Sequence, residues 1–110
     1  MATEKTFWIS YDLGIRGDYT GLYAWLDKFG AKECGDSMAV MKVKINGDIV
    51  AALKRDLKKK VKLSHTDRIY LIYRDAATGT VKGNFLFGGR KRAPWEGYGQ
   101  TGIHGLPEDY

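Results

Sequence analysis

The sequence predicts an α+β domain, a two-layer sandwich in which a four-stranded, mainly antiparallel sheet carries two helices on one face and a C-terminal tail. Three observations predict it. Runs that alternate apolar and polar residues occur at Thr6 to Leu13, Ser37 to Ile45, Arg68 to Tyr73 and Thr80 to Phe87, the period of two that marks strands with unlike faces. Two other runs place apolar residues three and four apart, as helices with one buried face do. Short breaker segments separate these runs, so neighbours in the chain become neighbours in space.

Within Thr6 to Leu13, Phe7, Ile9 and Tyr11 fall on one face and Trp8, Ser10 and Asp12 on the other, a pattern suited to the middle of a sheet. The strand ends on Asp12, and Gly14-Ile15-Arg16-Gly17 makes a turn. Asp18 then caps a helix with Leu22, Trp25, Leu26 and Phe29 on its buried face, and Gly30 stops it. Ala31 to Asp36 reads as a polar connection to the second strand, Ser37 to Ile45. After the breaker Asn46-Gly47-Asp48, Ile49, Val50, Leu53, Leu57 and Val61 mark the buried face of a second helix, with Lys54, Lys58, Lys59 and Lys62 on the other.

In the third strand, Arg68 to Tyr73, Ile69, Leu71 and Tyr73 face the helices. Arg74 to Gly79 reads as a hairpin loop, and the fourth strand has Val81, Phe85 and Phe87 on one side. Past Gly88-Gly89 come Arg90-Lys91-Arg92, then Pro94, Gly97, Gly99, Gly102, Gly105 and Pro107, which deny regular structure. Residues 1–89 are therefore read as the domain and residues 90–110 as a basic, Gly-rich tail. Right-handed crossovers put both helices over one sheet face in a ferredoxin-like variant, with the first and third strands as central neighbours. The other face is left bare and carries Trp8, Tyr70 and Ile72 beside Ser10, Asp12, Arg68 and Arg74. Such a surface meets a partner, and the simplest is a second copy, giving a homodimer with Trp8, Tyr70 and Ile72 at its interface.

Charge directs the search for function. Lys and Arg number 18 against 13 Asp and Glu, a formal net charge of +5, which favours a polyanionic partner, DNA or RNA. One cysteine, Cys34, excludes an internal disulfide. No apolar run reaches the roughly 18 residues of a membrane helix, and Met-Ala-Thr-Glu-Lys at the start does not resemble a signal peptide, so the expectation is a cytoplasmic protein without membrane contact. Lys54, Lys58 and Lys62 read either as a solvated helix surface or as phosphate contacts. Arg90, Lys91 and Arg92 stand near Trp95 and Tyr98, cations with stacking rings, which suits irregular or single-stranded nucleic acid; packing of Pro94-Trp95 on a sheet edge is the alternative. Asp12 either caps the turn before Gly14 or, paired with a second Asp12 across a two-fold axis, holds Mg or Mn. His65 and His104 lack metal-ligand spacing.

Ile9-Ser-Tyr-Asp-Leu13, the Gly-rich turn into Asp18-Tyr19 and Leu22-Tyr23, Leu26-Asp-Lys-Phe-Gly-Ala31 and Asp36-Ser-Met-Ala-Val40 resemble the proteins called SinR-like. These in turn are similar to the small ferredoxin-like nuclease subunit of the CRISPR adaptation complex. That resemblance implies a homodimer in which the carboxylate ending the first strand, matched by Asp12, lies near the dimer axis. There two copies hold a divalent metal for phosphodiester hydrolysis, with Asp12 both catalytic and metal-ligating. Ser37 resembles a small polar residue of that family, whereas the tail from Arg90 has no counterpart that can be assigned. The expected function is thus a homodimeric nucleic-acid-binding protein, with metal-dependent endonuclease activity as the implied chemistry. A non-catalytic dimerisation or adaptor module that contacts another protein is the alternative.

Overall fold

The computed structural model describes residues 3–100. The central alternation produces β1 (Thr3–Asp12), with Phe7 and Ile9 wholly buried and Trp8 and Asp12 exposed. Asp18 caps α1 (Tyr19–Lys28): one carboxylate oxygen accepts from the Gly21 amide at 3.0 Å, and the other accepts from the Lys62 amide at 2.9 Å. The same carboxylate therefore also ties the start of α1 to the exit of the second helix. β2 (Lys32–Gly35) and β3 (Met38–Ile45) follow, then α2 (Ile49–Lys60), capped by Asp48 through the Val50 amide at 3.1 Å. β4 (Arg68–Arg74) and β5 (Val81–Phe87) complete the sheet, and Tyr98–Gln100 forms one 3₁₀ turn.

The sheet order is β2-β3-β1-β4-β5, and every neighbouring pair is antiparallel. Consequently β1-α1-β2 and β3-α2-β4 each join two parallel strands across one intervening strand, and the two units interleave. Phe7, Ile9, Ile69, Leu71 and Leu86 from the sheet meet Leu22 and Leu57 from the helices in a single core, all seven essentially inaccessible. The expected buried faces of both helices enter that core. Trp25 crosses between the helices, its indole donating to Asp56 at 2.8 Å, which satisfies the one polar atom that a buried tryptophan brings. No helix among the described residues is long and apolar enough to cross a membrane.

Two expectations are corrected. The sheet has five strands, not four: Lys32–Gly35, read as a connection, is an edge strand paired to β3. Lys-Glu-Cys-Gly has no apolar alternation because it buries neither face, and its pairing comes from the tight turn at Asp36-Ser37, where Ser37 has φ of 57°. Ser37 thus sits in the turn that precedes β3, and its carbonyl accepts from the Tyr11 amide at 3.0 Å. In β5 the register shifts between Ile69 and Tyr70: Phe87 pairs with Ile69, but Phe85 pairs with Tyr70. That bulge adds one residue, Leu86, and sends Leu86 and Phe87 to the core while Phe85 stays on the opposite face, so Phe85 and Phe87 do not share a side. Past Gly89, residues 90–96 line a cavity together with Ser10, Asp12, Arg68, Tyr70 and Phe85 of the sheet. Residues 101–110, with His104 and the last part of the expected tail, lie outside the described residues.

Candidate functional site

Register, not sequence proximity, assembles the site. On the face away from the helices, Trp8 stands opposite Val40 and Ile72, and Ser10 opposite Met38 and Tyr70. Asp12 stands opposite Arg68, and Tyr70 opposite Phe85. The three residues expected at a dimer interface, Trp8, Tyr70 and Ile72, thus share the uncovered face. Tyr70 packs edge-on against Phe85, ring centres 4.8 Å apart. Gly83 makes room for this: a Cβ there would overlap the Tyr70 hydroxyl and ring.

Gly88 turns the chain back across the end of β4. Its φ is 75°, and a Cβ would come within 2.6 Å of the Asp67 carbonyl oxygen, so both the left-handed backbone and the close approach call for glycine. Residues 90–96 then run along the uncovered face and close a groove of about 580 Å³. Tyr70 and Phe85 line it from the sheet, Pro94 and Trp95 from the returning segment, and Arg68, Arg90, Lys91 and Arg92 supply its positive charge. Asp12 and Glu96 are its acids. Trp95 remains 72 % exposed, so its ring is open to a ligand.

Asp12 is already engaged. Oδ2 accepts from Arg68 Nη2 at 3.2 Å, Lys91 Nζ lies 3.9 Å away, and Oδ1 accepts from the Gly14 amide at 3.3 Å. The hydrogen bond from Arg68, then that from Gly14, then the charge of Lys91 hold its carboxyl below the ordinary carboxylate range. Both alternatives for Asp12 can be set against this geometry. It does cap the turn before Gly14, and it also serves as counterion to two groove cations. Among the described residues no group of three or more His, Cys, Asp or Glu side chains stands together to hold a metal. A hard cation such as Mg needs several oxygens, whereas Asp12 offers one carboxylate that faces two cations. The described residues of one chain therefore do not supply a fitting Mg or Mn site.

The cations expected to bind nucleic acid divide into two sets. Arg90, Lys91, Arg92 and Trp95 converge on the groove. Lys54 and Lys58 instead border a shallow depression with Arg55 and Lys59 on the outer side of α2, and Lys62 follows that helix, so this set lies on the opposite layer. Two residues were missed as contributors: Phe85, which the regular part of β5 sets opposite Tyr70, and Glu96, which the returning segment brings in. Arg68 was visible by parity on the same face as Asp12, but its ion pair depends on the β1–β4 register.

No family model, curated protein or solved structure matches the chain.

Proposed function

We propose that the protein binds nucleic acid in the groove between its uncovered sheet face and residues 90–96. One observation carries the reading: four cationic side chains and three aromatic rings, drawn from β4, β5 and the returning segment, line a single cavity. Phosphates are neutralised by Arg90, Lys91 and Arg92, and bases stack on Tyr70, Phe85 and Trp95, a combination in which charge gives affinity and rings accept any base. Asp12 holds Arg68 in place against β1. The interleaved β-α-β units and the order β2-β3-β1-β4 support a ferredoxin-like fold, extended by β5 at one edge. We do not extend the proposal to hydrolysis, because Asp12 is bound by Arg68 and Lys91.

Fluorescence anisotropy with labelled oligonucleotides tests this. The expected result is binding at low salt that weakens steeply as salt is added. The double variant Arg90→Ala/Arg92→Ala should lose about tenfold or more in affinity and flatten the log–log salt slope by about 1.4, two phosphate contacts at ~0.7 each for a single strand. Lys54→Ala/Lys58→Ala should change groove binding far less. Absence of binding at low salt would overturn the reading in favour of a protein-binding adaptor.

A further inference from the structure

Resting on that reading, we propose that the ligand is an unpaired strand, and that its path continues out of the groove onto Trp8, flanked by Lys32 and Lys42. Trp8 is the most exposed aromatic side chain of the sheet, 37 % accessible. It stands opposite Ile72 on β4, two residues along from Tyr70, so Trp8 and Tyr70 are diagonal neighbours. Such neighbours lie about 7–8 Å apart, roughly twice the ~3.4 Å rise between stacked bases in one strand of a duplex. Two successive bases seated on these two rings must be pulled apart from each other and from any complementary strand. A duplex, whose bases stay stacked and paired, cannot make both contacts.

The charges follow the same line. Lys32 is paired to Val40 in the β2–β3 ladder, and Val40 in turn stands opposite Trp8. Lys42 is two residues along β3 from Val40, so alternation brings it, like Lys32, to the uncovered face. Both lysines are exposed. Continuing from Arg90 and Lys91 at one end of the face to Lys32 and Lys42 at the other, positive charge borders a belt of Phe85, Tyr70, Ile72, Trp8 and Val40. Rings along the middle with cations at the margins match a chain of bases with phosphates on their outer side.

The test compares a labelled single strand with a hairpin duplex of the same sequence, using the full chain, Trp8→Leu, Lys32→Glu/Lys42→Glu and the Arg90→Ala/Arg92→Ala groove variant. Thermal melts and size-exclusion chromatography accompany each protein. The expected result is at least a tenfold preference for the single strand, lost in large part in Trp8→Leu and in Lys32→Glu/Lys42→Glu. The charge variant changes only exposed residues, so it decides the matter even if Trp8→Leu folds poorly. Equal affinity for duplex and single strand, or unchanged binding in the charge variant, would overturn the proposal. If the groove variant still weakened binding in that case, the groove reading would stand without it. A shift from dimer to monomer in Trp8→Leu with unchanged single-strand affinity would assign the face to a second copy and overturn it too. No binding by any form removes both readings together.

Discussion

Asp12 separates two kinds of chemistry at a single position. A catalytic metal ligand must be free to accept a cation, and its loss abolishes turnover; a counterion restrains the positive charge around it, and its loss releases that charge. Arg68 at 3.2 Å and Lys91 at 3.9 Å support the second description, on which the proposed function rests. Asp12→Asn should therefore tighten oligonucleotide binding severalfold, and a cleavage assay with Mg or Mn should show no difference between the two proteins. The sign of its pH dependence follows from the lowered carboxyl pKa. Between its folded value and the ordinary 3.8, the folded chain binds fewer protons than the unfolded chain. The ion pair's stabilisation is thus present above that range and fades as pH falls through it. Carbon-detected NMR titration should place the Asp12 midpoint below 3.8, and Arg68→Gln should move it upward.

At the scale of elements, what could be read from the sequence depended on burial. The apolar spacings of α1 and α2 and the alternation of β1 and β4 announced themselves because each element owes its stability to one buried face. Leu57 shows how much: it is fully inaccessible beneath α2, and Leu57→Ala should cost about 2–5 kcal/mol in urea-unfolding stability, while binding by the fraction that remains folded stays intact. Elements that bury little were not legible. β2 carries Lys32, Glu33 and Cys34 with no apolar face, and only its pairing with β3 makes it a strand. β5 was recognised, yet its bulge was not, because a single extra residue between Phe85 and Phe87 leaves no mark in composition. That one residue turns Phe87 towards the core and leaves Phe85 in the groove.

For the molecule as a whole, the candidate site was visible in its parts but not in its assembly. Arg90, Lys91, Arg92 and Trp95 were singled out by composition, and Trp8, Tyr70 and Asp12 by alternation. Their meeting required two long-range facts, the β1–β4 register and the backward turn at Gly88, and neither has a local signature. Division of the lysines had the same cause. Lys54 and Lys58 look equivalent to Lys91 in a charge plot, but the layered architecture puts them on the opposite broad surface.

If the proposed reading holds, positive charge on two opposed surfaces would make the chain bivalent. Its shortest dimension is 22 Å, more than twice the ~8 Å screening distance at physiological ionic strength, so two polyanions clasped on opposite sides would scarcely feel one another. Long strands mixed with this protein should then cross-link into light-scattering networks near charge balance and clear again in excess of either component. Removing Lys54, Arg55, Lys58 and Lys59 would leave a univalent binder whose solutions stay transparent throughout.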